Sequence, residues 1–142
     1  MKITIAHSPD SDDAFMFYGL ASGAIDTEGF EVGQVLSDIE TLNRAAVTGT
    51  YEVTAVSFHA YAHLSEKYAL LPHGASMGDG YGPMVVVRKD GGPTSLEGVT
   101  VAIPGTWTTA WLALQLYQPG LAFKVMPFDQ ILEAVRDGQA DA

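Results

Sequence analysis

Short apolar runs alternate along the chain with stretches whose apolar positions repeat at helical spacing. The runs are rich in β-branched and aromatic residues and predict strands at residues 3–6, 30–36, 51–58, 83–88, 99–105 and 123–128. The stretches between them predict helices at residues 14–21, 39–47, 60–68, 106–117 and 130–137. Strands that alternate with helices need crossover connections, so the pattern predicts an α/β fold with mostly parallel sheets covered by helices.

The densest group of helix-breaking and strand-breaking residues is the run Asp90-Gly91-Gly92-Pro93. Such a run favours a boundary between structural units, because glycine and proline interrupt both helices and strands. We therefore predict a first α/β lobe over residues 1–90 and the start of a second α/β lobe over residues 91–142, with a hinge near residues 88–96.

The run at residues 137–142 has the composition of a helix end that leads into a new strand. The predicted second lobe has only two strands of its own, and a two-stranded parallel sheet buries little apolar surface. We therefore expect the chain to be part of a longer protein, with its second lobe incomplete.

Composition and charge narrow the classes of partner. The 142 residues carry a formal net charge of -10, with 17% charged and 47% hydrophobic residues. Nucleic acids and anionic membranes attract clustered Lys and Arg, so neither is a predicted partner of this acidic chain. Cysteine is absent, which excludes disulfides, a thiolate nucleophile and cysteine metal sites. No apolar stretch of signal-peptide length opens the chain, so a cytoplasmic location is predicted.

Polar residues follow the predicted strands where each strand ends. They are His7 with Ser8, Ser37 with Asp38, Ser57 with His59, and the run at residues 105–109. Ligands of open parallel sheets bind beyond the carboxyl ends of the strands, where helix N-termini present free N–H groups. Hydroxyl and N–H groups there suit a small carboxylate ligand, and Phe58 and Trp107 beside them suit a ring. Each polar residue also fits a plain helix cap, so both interpretations stay open.

Metal and nucleotide sites have weak support in the sequence. His59 and His63 have the spacing of a helical metal pair, but a third ligand and the glutamate of the zincin motif are missing. The aspartates at residues 10–13 lack the glycine and glutamate of a calcium loop. No glycine-rich phosphate motif is present, and residues 74–82 read as a flexible crossing or lid segment. No metal site is predicted.

Several segments, in chain order, carry a resemblance to a known family. They are residues 7–17 (HSPDSDDAFMF), 38–43 (DIETLN), 56–61 (VSFHAY), 70–78 (LLPHGASMG), 102–105 (AIPG), 128–131 (FDQI) and 138–142 (GQADA). Together they resemble the 1,4-dihydroxy-6-naphthoate synthase family, which acts in the futalosine route to menaquinone. The segments span nearly the whole chain, so the likeness does not depend on one short motif.

The resemblance implies a fold and an activity. The fold would be that of type II periplasmic binding proteins, with two α/β lobes and a ligand in the cleft between them. The activity would be a carbon-carbon lyase that converts cyclic dehypoxanthine futalosine, a small-molecule carboxylate, to 1,4-dihydroxy-6-naphthoate by general-base proton abstraction, without a cofactor. The substrate-binding positions that it implies are Ala55, Val56, Ser57, Thr109 and Ala110, with Ser8 and Asn43 as neighbours.

The chain departs from the family pattern at the catalytic base. The resemblance puts the catalytic histidine shortly after residues 138–142, so the base is expected beyond residue 142 and no histidine present inherits that role. Two alternatives share the fold: a solute-binding protein for a small carboxylate, and the chorismate dehydratase of the same pathway. A missing leader and a missing lipidation cysteine count against the first, and the opening Ser8-Pro9-Asp10 counts against the second.

Overall fold

A computed structural model describes all 142 residues, which form two compact units, Met1–Gly78 and Asp79–Ala142. This division lies earlier than the boundary predicted at residues 90 and 91. The residues from Asp79 to Asp90 belong with the second unit. Arg88 shows one reason, because its Nη1 atom donates hydrogen bonds to the carbonyl oxygens of Val135 at 2.8 Å and Ala140 at 3.4 Å. The predicted lobes and their hinge stay predictions.

The first unit is a three-stranded parallel sheet with helices between the strands. Its elements are β1 (Lys2–His7), α1 (Ser11–Ala21), β2 (Glu31–Leu36), α2 (Ile39–Thr48), β3 (Val53–Thr54) and α3 (Phe58–Tyr61). The strand order is β2-β1-β3, which makes β1 the central strand. Helix α2 contacts β1, and Ala6, Leu42 and Ala46 have no exposed surface. These residues form the part of the core in which α2 packs against β1.

Helix α2 has clear start and stop signals. Asp38 accepts a hydrogen bond from the N–H of Thr41 at 3.0 Å. The carboxylate thereby provides an acceptor for one of the four N–H groups at the helix start that have no partner within the helix. Gly49 ends the helix in the left-handed conformation, with φ of 68°, where glycine meets no steric penalty. The predicted capping role of Asp38 is confirmed.

The second unit has a two-stranded parallel sheet. Its elements are β4 (Thr100–Ile103), α4 (Thr109–Tyr117), β5 (Ala122–Val125), a 3-10 helix (Phe128–Gln130) and α5 (Ile131–Arg136). Val101 and Ile103 belong to one apolar cluster, with Val99, Leu121 and Ala142. Ala102 points to the other face and packs with Val135 and Ala140. Asp141 and Ala142 pair along β4, where the N–H of Ala102 donates to the carbonyl of Ala142 at 2.7 Å.

The structure confirms the predicted α/β class and its parallel sheets and corrects three elements. Residues 83–88, predicted as a strand, form no regular structure, because their β-prone side chains have no neighbouring strand to pair with. The third strand shortens to Val53–Thr54, and the third helix ends at Tyr61 and continues as turns. None of the helices has the length and apolar character that crossing a membrane requires.

Candidate functional site

The carboxyl ends of β1, β2 and β3 lie at one edge of the first sheet. The strands are parallel and adjacent, and the N–H of Ser37 donates to the carbonyl of His7 at 3.1 Å. The N–H of Ala55 donates to the carbonyl of Ala6 at 2.8 Å, which continues the pairing beyond β3. Val56 then leads, half-buried, into Ser57. The sheet therefore brings Ser8, Ala55, Val56 and Ser57 to the same edge, where the sequence predicted Ser8 and Ser57 as strand-end residues.

Ser57 is held from behind by the side-chain amide of Asn43. The N–H of Ser57 donates to Oδ1 of Asn43 at 2.9 Å, and Nδ2 of Asn43 donates to Oγ of Ser57 at 3.1 Å. Ser57 occupies the N-cap position of α3, yet its side chain makes no capping hydrogen bond. The hydroxyl group thus accepts from Asn43 and keeps its own proton for another acceptor.

Asn43 itself has no exposed surface. It lies on the buried face of α2 beside Leu42 and one turn before Ala46. The structure places Asn43 behind Ser57, with no surface of its own at the sheet edge. A sequence signal for this position exists, because a polar residue inside the apolar stripe of an amphipathic helix must find a buried partner.

Phe58 follows Ser57 and is 61% exposed. It opens α3 next to the Ser57 hydroxyl. An exposed ring beside a hydrogen-bond donor suits a flat ligand that carries a charged group. The ring pocket predicted beside Phe58 and Trp107 stays a prediction.

Ser8 lies at the same edge, but its hydrogen-bonding groups pair within the loop. Its Oγ donates to Oδ2 of Asp10 at 2.6 Å and accepts from the N–H of Asp10 at 3.1 Å. Its N–H donates to Oδ2 of Asp13 at 2.8 Å. Ser8 is only 8% exposed. The geometry makes Ser8 part of the loop that joins β1 to α1.

His7 is 3% exposed and lies under α1. Its ring stacks on Phe17 with centroids 4.3 Å apart, and Nδ1 lies 2.8 Å from the carbonyl oxygen of Ser8. Nε2 lies 3.5 Å from Oε1 of Gln34. His7 therefore belongs to the interior of the first unit, and its ring has no route to a ligand in this arrangement.

Two aspartates at the start of α1 have shifted pKa values in opposite directions. Burial raises the pKa of Asp13, and its neighbour Asp12 adds to that shift, while the N–H of Ser8 opposes it. A hydrogen bond from the Ser76 side chain lowers the pKa of Asp12.

In the second unit, Thr108 caps α4. Its Oγ1 accepts from the N–H of Trp111 at 3.2 Å and donates to the carbonyl of Gly105 at 2.9 Å. Thr109 and Ala110 are the first two residues of α4. Trp111 packs on Phe123 with ring centroids 4.6 Å apart.

The histidine pair predicted as a weak metal candidate is present as a ring contact. His59 and His63 meet edge to face with centroids 5.9 Å apart. No group of three or more His, Asp and Glu side chains lies close enough to hold a metal ion.

These features define an α/β protein with parallel sheets whose polar groups gather at the strand ends. The chain belongs to the menaquinone biosynthesis family, whose model matches residues 3–142. It is 39% identical to a 1,4-dihydroxy-6-naphthoate synthase of Thermus thermophilus, over 99% of this chain and 50% of the relative. It is 37% identical to a synthase of the same name from Streptomyces coelicolor, over 99% of this chain and 51% of the relative.

A solved structure shares the fold. The X-ray crystal structure of protein AF1704 from Archaeoglobus fulgidus is 51% identical, with a TM-score of 0.92, and the match covers 99% of this chain and 52% of that one. The chain spans about half the length of the relatives that it matches. The family predicted from the sequence is confirmed.

Proposed function

We propose that this protein is a 1,4-dihydroxy-6-naphthoate synthase, a carbon-carbon lyase of menaquinone biosynthesis. The observation that carries the proposal is the likeness to two synthases from different organisms at 37% and 39% identity over 99% of the chain. The substrate would be cyclic dehypoxanthine futalosine, a small-molecule carboxylate.

We also propose that the fold is the two-lobed type of the periplasmic binding proteins. The presence in each unit of a parallel sheet with connecting helices supports this proposal. The first unit would supply the first lobe and the second unit the start of the other. A cytoplasmic location remains a prediction.

Ser57 is the proposed hydrogen-bond donor to the substrate carboxylate. Its hydroxyl proton is uncommitted, because Asn43 donates to Oγ and accepts from the Ser57 N–H. A hydroxyl that donates to a carboxylate forms a charge-assisted hydrogen bond, which is stronger than a neutral one. Phe58 would lie against the aromatic ring of the substrate, since its exposed side chain follows Ser57 directly.

Thr109 and Ala110 are proposed as substrate-binding positions of the second unit. Their N–H groups open α4, a helix of nine residues whose Thr108 cap already serves Trp111. The start of a helix favours negative charge. This part of the proposal rests on the family resemblance together with that geometry.

The general base is proposed to lie in the half of the relatives that this chain does not match. His7 is stacked on Phe17 and almost fully buried, so it is not placed to abstract a proton from a ligand. His59 contacts His63. Neither histidine therefore takes the role of base in this proposal.

Turnover tests the activity. The purified full-length protein, which would include the proposed base, is incubated with cyclic dehypoxanthine futalosine, and the product is identified by liquid chromatography and mass spectrometry. Formation of 1,4-dihydroxy-6-naphthoate is the expected result. Unchanged substrate, from protein that titrates with the product in a binding assay, would leave a binding protein and overturn the lyase. Turnover of chorismate derivatives instead would overturn the choice of reaction.

A further inference from the structure

The orientation of the Asn43 amide is fixed by the backbone of Ser57. The Ser57 N–H is a donor that points at Asn43, so the carbonyl oxygen of the amide must face it, at 2.9 Å. The amide nitrogen then faces Oγ of Ser57, at 3.1 Å, and must donate to it. Turning the amide over would set its NH2 donors against the Ser57 N–H, which is also a donor.

This orientation determines where the Ser57 proton can go. A serine hydroxyl has one donor position and two lone pairs, and one lone pair is taken by the Asn43 nitrogen. The Ser57 proton cannot point towards the Asn43 nitrogen, because that nitrogen is itself a donor, so the O–H bond points away from Asn43. The hydroxyl therefore presents its proton, beside one remaining lone pair, on the side away from Asn43, and that proton suits an anionic ligand group.

Asn43 cannot act by touching the ligand itself, because it has no exposed surface. Its position is held by α2, which starts at the Asp38 cap and buries Leu42 and Ala46 on the same face. A buried amide on a rigid element that makes paired hydrogen bonds to an edge residue keeps that residue in a single geometry.

We infer that Asn43 is a positioning residue, which makes the Ser57 hydroxyl a donor to the carboxylate of the substrate. This inference rests on the proposed function. It adds that the selectivity for the carboxylate is set by the buried Asn43, which lies behind Ser57 and does not touch the ligand. Asn43 and Ser57 act as one unit, so their effects on carboxylate binding are not additive.

The variant Asn43→Asp tests the inference because it keeps the shape and reverses the hydrogen bonding. The introduced carboxylate still accepts from the Ser57 N–H, but its second oxygen accepts the Ser57 proton and turns the hydroxyl away from the ligand. We expect the dissociation constant of 1,4-dihydroxy-6-naphthoate to rise about tenfold or more, at least as much as in Ser57→Ala. The dissociation constant of 1,4-dihydroxynaphthalene, the same ring without the carboxylate, should change little.

The pH dependence separates positioning from a merely structural role. When the introduced carboxyl is protonated it donates to Oγ as the amide does, so naphthoate binding by Asn43→Asp should recover towards that of the unsubstituted protein as the pH falls. The unsubstituted protein, titrated over the same pH range, corrects for all other ionisable groups. Leu42→Ala, a buried neighbour on α2, is the matched control for loss of stability and should weaken both probes equally or neither.

Each outcome decides a different point. Binding by Asn43→Asp that equals that of the unsubstituted protein, or a loss that is independent of pH and shared by both probes, overturns the positioning role and leaves the proposed function standing. Unchanged naphthoate binding in Ser57→Ala overturns Ser57 as the donor and the inference with it. Failure of the unsubstituted protein to bind the naphthoate overturns the proposed function first.

Discussion

Ser8 and Ser57 occupy equivalent places in the fold but differ in what their hydroxyl groups can do. Each serine follows a strand of the same parallel sheet and precedes a helix. The Ser8 hydroxyl both donates to and accepts from Asp10. The Ser57 hydroxyl accepts from Asn43, and its proton stays available. A position at a strand end is therefore not enough to make a binding group.

The source of the partner explains the difference. Asp10 lies two residues from Ser8, so the loop satisfies itself, as serine and aspartate commonly do near helix starts. Asn43 lies 14 residues from Ser57 and reaches it from a buried face of another element. A partner from a separate rigid element can fill some hydrogen-bonding positions of a residue and leave the rest facing outwards.

The largest expected effect is on the free energy of unfolding of Asn43→Ala. The change removes a buried side chain and leaves the Ser57 N–H without its acceptor, so we expect a loss of about 2 to 4 kcal/mol. Amide hydrogen exchange of β1 measures this loss within the first unit. If water replaces the amide without cost, protection stays unchanged, and the two serines do not differ in how they are supported.

The second effect concerns binding. Ser57→Ala should weaken binding of 1,4-dihydroxy-6-naphthoate by on the order of 1 to 3 kcal/mol, because it removes a hydrogen bond to a charged group. Stability should fall as well, because Nδ2 of the buried Asn43 loses an acceptor. Isothermal titration calorimetry measures the first quantity and denaturant unfolding the second. A stability loss without a binding loss would make Ser57 resemble Ser8.

The sequence predicted the alternation of strands and helices because each element carries its own pattern. The periodicity of α2 and its Asp38 cap are local features, and both are present in the structure. The run at residues 83–88 was predicted as a strand from its β-branched residues and is wrong, because strand formation depends on a neighbour that composition cannot supply.

The site was predicted less completely than the fold. Strand ends identified Ser57 and Ser8 equally, and local sequence cannot separate them, because the deciding partner is distant in the chain. The burial of His7 and Asp13 could not be predicted from the residues beside them in the sequence either, since it depends on α1 packing over β1. Asn43 could have been recognised as a buried polar residue from the apolar stripe of α2.

The third effect concerns stability alone. Ser8→Ala should lower the free energy of unfolding by about 1 kcal/mol, because it removes the hydroxyl that bridges to Asp10 in the loop before α1. Denaturant unfolding of Ser8→Ala and of the unsubstituted protein under the same conditions measures this loss. Equal stability of these two proteins would show that the Asp10 contacts contribute nothing and would weaken the contrast.

The smallest effect concerns the carboxylate that supports Ser8 through its N–H. In Asp13→Asn the amide oxygen can still accept from the Ser8 N–H, so the hydrogen bond at 2.8 Å is kept and the buried charge is removed. Burial raises the pKa of Asp13 in the folded protein above its ordinary value. The folded state therefore binds a proton more readily than the unfolded state, and stability falls as the pH rises from the ordinary aspartate pKa to the folded one.

Above that window the cost of the buried charge is constant, so Asp13→Asn should be at least as stable as the unsubstituted protein at neutral pH. Its advantage should shrink as the pH falls through the folded pKa and stop changing below the ordinary aspartate pKa. Urea unfolding at a series of pH values measures the difference between the two proteins. An advantage that grew as the pH fell would mean that the Asp13 charge stabilises the loop, so that Ser8 as well as Ser57 depended on a partner from another element.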